Sequence, residues 1–127
     1  MIVWDASALL CVALNEPGSK HAKKFAADGA MLHVNFAEVL FKLTREGAAL
    51  DLALSALEGI GLNRLVLDED IVARSASFSP LARSKGLSLG DRLCLAAGIE
   101  RGCPILTADK AWADVADPLG VEVVLLR

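Results

Sequence analysis

The sequence has no tyrosine, and its only aromatic side chains are four phenylalanines and two tryptophans in 127 residues. So sparse a set argues against a platform on which successive nucleic-acid bases stack. Cysteine is scarce as well. Cys11, Cys94 and Cys103 are odd in number, stand in apolar surroundings and lack any CxxC spacing. That pattern excludes a disulfide framework and a thiolate zinc site, and leaves three small buried hydrophobes suited to a reducing compartment. No apolar run approaches the roughly 20 residues of a membrane-spanning helix. A secretory leader is not indicated either, because the chain lacks a basic start and Asp5 interrupts the first apolar stretch. A soluble, cytoplasmic protein without a membrane partner is expected. An excess of positive charge is also missing: the formal net charge is −3, which on its face argues against a general nucleic-acid binder.

What is present is a core. Hydrophobic residues make up 54% of the chain and charged residues 23%, a composition that excludes disorder and suits one domain of this length. No repeat, low-complexity tract or linker divides it. "MIVWD", "AMLHV", "NRLVLD", "CPILTAD" and "VEVVLL" read as five strands, each a short apolar run rather than an alternation. Between them "ASALLCVALN", "KHAKKFAAD", "NFAEVLFKLTREG", "LDLALSALEGIG", "EDIVARSASFSPLARSKG", "SLGDRLCLAAGIERG" and "KAWADVADPLG" read as helices. The third carries an apolar stripe at Phe36, Val39, Leu40 and Leu43, with Phe41 also assigned to the core. Asp51 is the candidate cap of the fourth helix, and Pro80 is expected to disturb the fifth. Strands that are apolar throughout and alternate with helices call for a sheet covered on both faces. The expected fold class is α/β, a single domain with an open, mostly parallel sheet of about five strands.

Ligands of such sheets bind beyond the carboxyl ends of the strands. Asp5, Glu38, Asp91 and Asp109 all fall there or at the start of an adjoining helix. Each has an ordinary explanation. Asp5 and Asp109 suit N-caps, and Asn35 to Glu38 and Ser88 to Asp91 both have capping-box spacing. Taken together the four resist that explanation, because Asn35 and Ser88 already supply capping side chains. Attraction to a helix dipole stabilises an exposed acid by only about 0.3–1 kcal/mol, whereas four convergent carboxylates repel one another. A divalent cation relieves that repulsion and capping does not. Oxygen-only ligands favour Mg²⁺ or Mn²⁺ over zinc, and a carboxylate-bound Mg²⁺ commonly completes its shell with water and phosphate oxygens. Setting those four negative charges aside turns −3 into +1, so nucleic acid is no longer excluded.

The stretches "IVWDASALL", "NFAEVLFKL", "LSLGDRLCLAAG" and "PILTADKAW" together resemble, in order and over essentially the whole chain, the PIN-domain ribonucleases, in particular the VapC-type toxins of bacterial toxin–antitoxin pairs. The resemblance implies Mg²⁺- or Mn²⁺-dependent endonucleolytic cleavage of structured RNA, transfer or ribosomal, by metal-activated water, leaving 3′-hydroxyl and 5′-phosphate ends. It also implies a homodimer and a cognate VapB-type antitoxin whose tail blocks the site. Carried onto this chain, Asp5, Glu38, Asp91 and Asp109 are the metal-binding and catalytic acids. Ser7 and Thr107 match polar positions that help orient them, and Asn35 serves likewise or caps its helix. Asp114 stays outside the metal set.

Arg92, beside Asp91, is the first candidate for RNA contact, with Lys42 and Arg45 as further ones. His21 and His33 do not suit a histidine-dependent cleavage through the 2′-hydroxyl. A haloacid-dehalogenase-like phosphatase needs an aspartate where Ser7 stands. The remaining alternative is a non-catalytic phosphoacceptor receiver-like domain using Asp68 and Lys110.

Overall fold

A computed structural model describes the backbone of residues 1–127 and every side chain except that of Ala82. Five strands form one sheet: β1 (Ile2–Trp4), β2 (Gly29–Leu32), β3 (Asn63–Leu65), β4 (Ile105–Thr107) and β5 (Val123–Leu125). Their order is β3-β2-β1-β4-β5 and every pairing is parallel. The helices are α1 (Ala6–Ala13), α2 (Ser19–Lys23), α3 (His33–Arg45), α4 (Leu50–Glu58), α5 (Glu69–Ala76), α6 (Ser79–Lys85), α7 (Leu89–Arg101) and α8 (Trp112–Leu119).

Period-two alternation along each strand explains why the strands are apolar throughout. Ile2, Trp4, Met31 and Leu106 face a core built with α1 to α4. Val3, Leu32 and Ile105 face the other, which is filled from α5, α7 and α8. Both tryptophans are buried, one in each core. Gly98 lets α7 lie close on the sheet: a Cβ there would come within 2.6 Å of the Ile105 side chain.

Several local expectations are corrected. β2 stops at Leu32, and His33 opens α3 rather than ending a strand. Asn35 is therefore the third residue of that helix, fully buried, and not its cap. Ala49, not Asp51, caps α4; Asp51 sits in the first turn, where its charge still favours the helix N-terminus. The long helix around Pro80 is two helices, and Pro80 falls in the first turn of α6, where its missing N–H costs nothing. Phe41 is 65% exposed, not in the core.

In this strand order the chain moves from β1 outward to β2 and β3, then returns to the other side of β1 for β4 and β5. The reversal lies between β1 and β4, which opens a crevice at their carboxyl ends. Asp5 follows β1 directly, and Asp109 lies two residues beyond β4.

Candidate active site

Asp5 is the fixed point. Its backbone is extended, φ −75° and ψ 158°, so it caps α1 and its Oδ1 accepts from the Ala6 N–H at 2.8 Å. Oδ2 accepts from the Ser7 hydroxyl at 2.6 Å and from the Thr107 hydroxyl at 2.9 Å. Each hydroxyl thus spends its single proton on Asp5 and is left as an acceptor. Those acceptors are used: the Ala108 N–H donates to Ser7 Oγ at 2.9 Å and the Asp109 N–H to Thr107 Oγ1 at 3.1 Å. The network ties the first carboxylate to the loop carrying the fourth.

Asp5 is only 4% exposed. Burial pushes its carboxyl up to about 6, the Asp91 charge adds to the rise, and the three hydrogen bonds to Ser7, Thr107 and Ala6 resist it. Glu38 is also raised, first by burial and then by the charges of Asp5 and Asp91. The three acids therefore act on one another. Beneath them lies Cys94, fully buried, whose thiol is held well above its usual range by burial and by the same three charges. Such a thiol stays protonated and unreactive.

Glu38 is placed by α7 as much as by α3. Asn35 Nδ2 donates to Glu38 Oε1 at 3.2 Å and to the Gly90 carbonyl at 3.1 Å. A Cβ on Gly90 would occupy the space of the Glu38 carboxylate. Asn35 Oδ1 is buried with no hydrogen-bond partner.

Asp91 does share in capping, contrary to expectation. The Ser88 hydroxyl accepts from the Asp91 N–H at 3.1 Å, and Asp91 Oδ2 accepts from the Ser88 N–H at 3.0 Å. Its Oδ1 has no hydrogen-bond partner among the described residues. Asp109 does not cap α8, whose N-cap is Ala111; its Oδ1 accepts from the Ala111 N–H at 3.0 Å, one step earlier. Asp91 and Asp109 share a recess of about 110 Å³ with Asp114 and Lys85. Asp91 thus belongs to both groups, one with Asp5 and Glu38 and one with Asp109 and Asp114.

Among the described residues no three His, Cys, Asp or Glu side chains are drawn into a closed metal cage. Mg²⁺ does not need one, since it is held by one or two carboxylates with waters and phosphate oxygens in the remaining positions. A carboxyl raised by burial and, secondarily, by the Asp91 charge, and a glycine leaving room for Glu38, fit such an ion.

The basic candidates divide. Arg92 is half-buried beside Asp91. Lys42 and Arg45 lie in the last turn of α3, roughly 6 and 10 Å along the helix axis from Glu38. Arg45 instead stacks over the exposed Phe41 ring at 5.7 Å. Asp68 caps α5 through the Ile71 N–H and pairs with Arg101 at 2.6 Å. The Ile71 N–H, followed by Arg101, holds its carboxyl below the usual range. An aspartate so engaged, three residues beyond the edge strand β3, does not serve as a phosphoacceptor, and the receiver-like reading falls.

The PIN domain family model matches residues 2–118. The chain belongs to the PIN domain family. Comparison with curated proteins finds no match. Among solved structures, this PIN domain superposes with a TM-score of 0.73 on a toxin–antitoxin complex from Klebsiella pneumoniae, at 21% identity over 100% of this chain and 98% of that one. VapBC2 from Rickettsia felis, bound to a promoter DNA fragment, gives 0.76 at 14% identity over 98% of each chain. DNA-bound VapBC from Salmonella typhimurium gives 0.76 at 13% identity, with 100% of both chains covered. At these identities the likeness establishes the fold. No helix is long and apolar enough to cross a membrane.

Proposed function

We propose that this PIN domain is a Mg²⁺- or Mn²⁺-dependent endoribonuclease, the VapC-type toxin of a toxin–antitoxin pair, that cuts structured RNA such as transfer or ribosomal RNA. The observation that carries the reading is Asp5, buried at the crevice between β1 and β4 and raised toward neutrality beside Asp91 and Glu38. A fold keeps three repelling carboxylates together at its ligand-binding edge when a cation is their partner. Asp5, Glu38, Asp91 and Asp109 are the residues to hold it. When bound, the cation supplies Lewis acidity, lowering the cost of generating hydroxide near neutral pH and offsetting charge on the phosphate.

This chain's own part is placement. Ser7 and Thr107 fix the rotamer of Asp5, Asn35 fixes Glu38, and the Ser88 capping box fixes Asp91. Asp91 and Asp109 line the open recess, where an attacking water and the scissile phosphate would enter. A carboxylate of the group not engaged with the cation would take up the proton that the attacking water gives up. Arg92 adjoins this edge and contacts the RNA backbone; Lys42 and Arg45 serve a more distant stretch of it. The exposed apolar side chains Phe41, Leu50, Leu52, Val66 and Leu67 offer surface for a VapB-type antitoxin and for a homodimer partner.

The test is cleavage of total bacterial RNA by the purified protein with Mg²⁺ or Mn²⁺, with EDTA, and by Asp91→Asn. Discrete fragments with 5′-phosphate ends, lost in EDTA and in the variant, are expected. Cutting that persists in EDTA overturns the metal dependence, and RNA left intact by wild-type protein overturns the nuclease. Light scattering of the free protein checks the dimer.

A further inference from the structure

We infer that Lys85 grips a phosphate of the RNA strand at the acidic recess, an inference that rests on the nuclease reading above and supplies a cation its acids require. The recess is lined by Asp91, Asp109 and Asp114, and Lys85 is the one basic residue on its wall. A phosphodiester approaching three carboxylates is repelled even after one divalent ion has offset two of their charges. Entry of the strand therefore needs a positive group on the same wall, and Lys85 is in place.

The local chain explains why it is there. Lys85 is the last residue of α6. Gly86 then takes a left-handed conformation, φ +69°, and turns the chain back. Leu87, 9% exposed, anchors the turn in the core, and Ser88 immediately caps the helix that carries Asp91. Two fixed points, the Leu87 anchor and the capping box, hold the Lys85 backbone at the rim, while its four-carbon stem leaves the ammonium free to reach.

Lys85 is also unspent. The ion pairs among the described residues involve the N-terminus, Arg64, Arg74, Arg101 and Arg127. Lys85 makes none with the acids around it at the 4.0 Å limit for such a pair. It is not the counter-ion that holds the carboxylates together, so its charge is available to a ligand. Arg92, Lys42 and Arg45 do not line the recess.

The experiment compares wild type, Lys85→Ala and Lys85→Arg on a structured RNA that the wild type cuts. RNA affinity is measured over a salt series with each Lys85 variant built into Asp91→Asn, so that the probe stays whole. Lys85→Ala is expected to raise KM about tenfold with kcat within a factor of two. It should lower the slope of log affinity against log salt by about 0.7, the value of one phosphate contact on a single strand. Lys85→Arg should recover most of both. Melting temperatures should match, since the side chain is exposed and unpaired. Wild-type KM and salt slope in Lys85→Ala overturn the inference and leave the nuclease reading standing. A loss confined to kcat overturns it as well, because the residue then does not bind the ground-state strand. Wild-type protein that cuts no RNA removes both readings together.

Discussion

The Thr107 hydroxyl donates to Asp5 Oδ2 at 2.9 Å, across 102 positions of sequence, and joins the carboxyl ends of β1 and β4. The Thr107 hydroxyl oxygen in turn accepts from the Asp109 N–H at 3.1 Å. One threonine thus sets the rotamer of the first acid and the backbone of the fourth. Thr107→Val keeps the shape and removes both bonds. Leaving a buried carboxylate short of a donor and an N–H without an acceptor costs about 1–3 kcal/mol. Urea denaturation should find that loss, with the Asp5 carboxyl pushed higher still. Unchanged stability would mean that Ser7 and water replace the threonine.

The Asp5 carboxyl, raised from 3.8 to about 6 by burial, makes the metal-free fold sensitive to pH. In this window the Asp5 carboxyl binds more protons in the native state than in the unfolded chain, so its contribution to stability is greatest below about 4 and is lost as pH rises through 6. The full effect of this group is roughly 3 kcal/mol, at 1.36 kcal/mol per unit. Glu38 is shifted in the same direction, and Asp68 in the opposite one. The clean reading is therefore a difference: denaturation at pH 4.5 and 7.5 in EDTA, wild type against Asp5→Asn. The variant should lose most of the slope. Saturating Mn²⁺ should flatten it in the wild type, because a cation favours the ionised acid. A wild-type slope identical to that of Asp5→Asn would place the titration elsewhere.

Gly90 offers a test of the contact between α3 and α7. Alanine is the better helix former by up to about 1 kcal/mol, so on propensity alone Gly90→Ala should stabilise α7. A Cβ there meets the Glu38 carboxylate, and overpacking typically costs about 1–3 kcal/mol. Gly90→Ala should thus destabilise the protein and displace Glu38. In a Glu38→Ala background the clash is gone and the substitution should become neutral or stabilising. Additive effects in that cycle would show the two residues are independent.

Continuous apolar runs mark the strands because both faces of the sheet are covered, and the acids at the strand ends are visible for that reason. The chain was less legible wherever two local explanations share one spacing. Asn35 and Glu38 stand three apart, as in a capping box, yet both lie inside α3, because β2 ends two residues early and the helix starts without a side-chain cap. Residue type alone places Phe41 in the core, but the side chain is exposed. At 100° per residue it lies about 140° around the helix from Phe36, off the stripe that Phe36, Val39, Leu40 and Leu43 form. The Glu38 contact with Gly90 and the meeting of Asp91 with Asp109 and Asp114 in one recess are tertiary facts. No short window of sequence around Glu38 contains Gly90, and none around Asp91 contains Asp109.

Asp91 combines two duties that one substitution separates. Its Oδ2 accepts from the Ser88 N–H at 3.0 Å as half of a capping box, while its Oδ1 is left for the site. Asparagine keeps an oxygen that can take the capping bond and removes the charge, so Asp91→Asn should hold the α7 start to within about 1 kcal/mol. Asp91→Ala removes both and should cost about 1 kcal/mol more than Asn. It should also lower Glu38, whose raised carboxyl depends in part on the Asp91 charge. Ser88→Ala is the complement: it breaks the cap and leaves the charge. Denaturation midpoints ordered wild type, Asn, Ala, set against Mn²⁺ affinity lost equally in both Asp91 variants and retained in Ser88→Ala, would assign charge to the site and geometry to the helix. Retained Mn²⁺ affinity in Asp91→Asn would instead remove Asp91 from the ligand set.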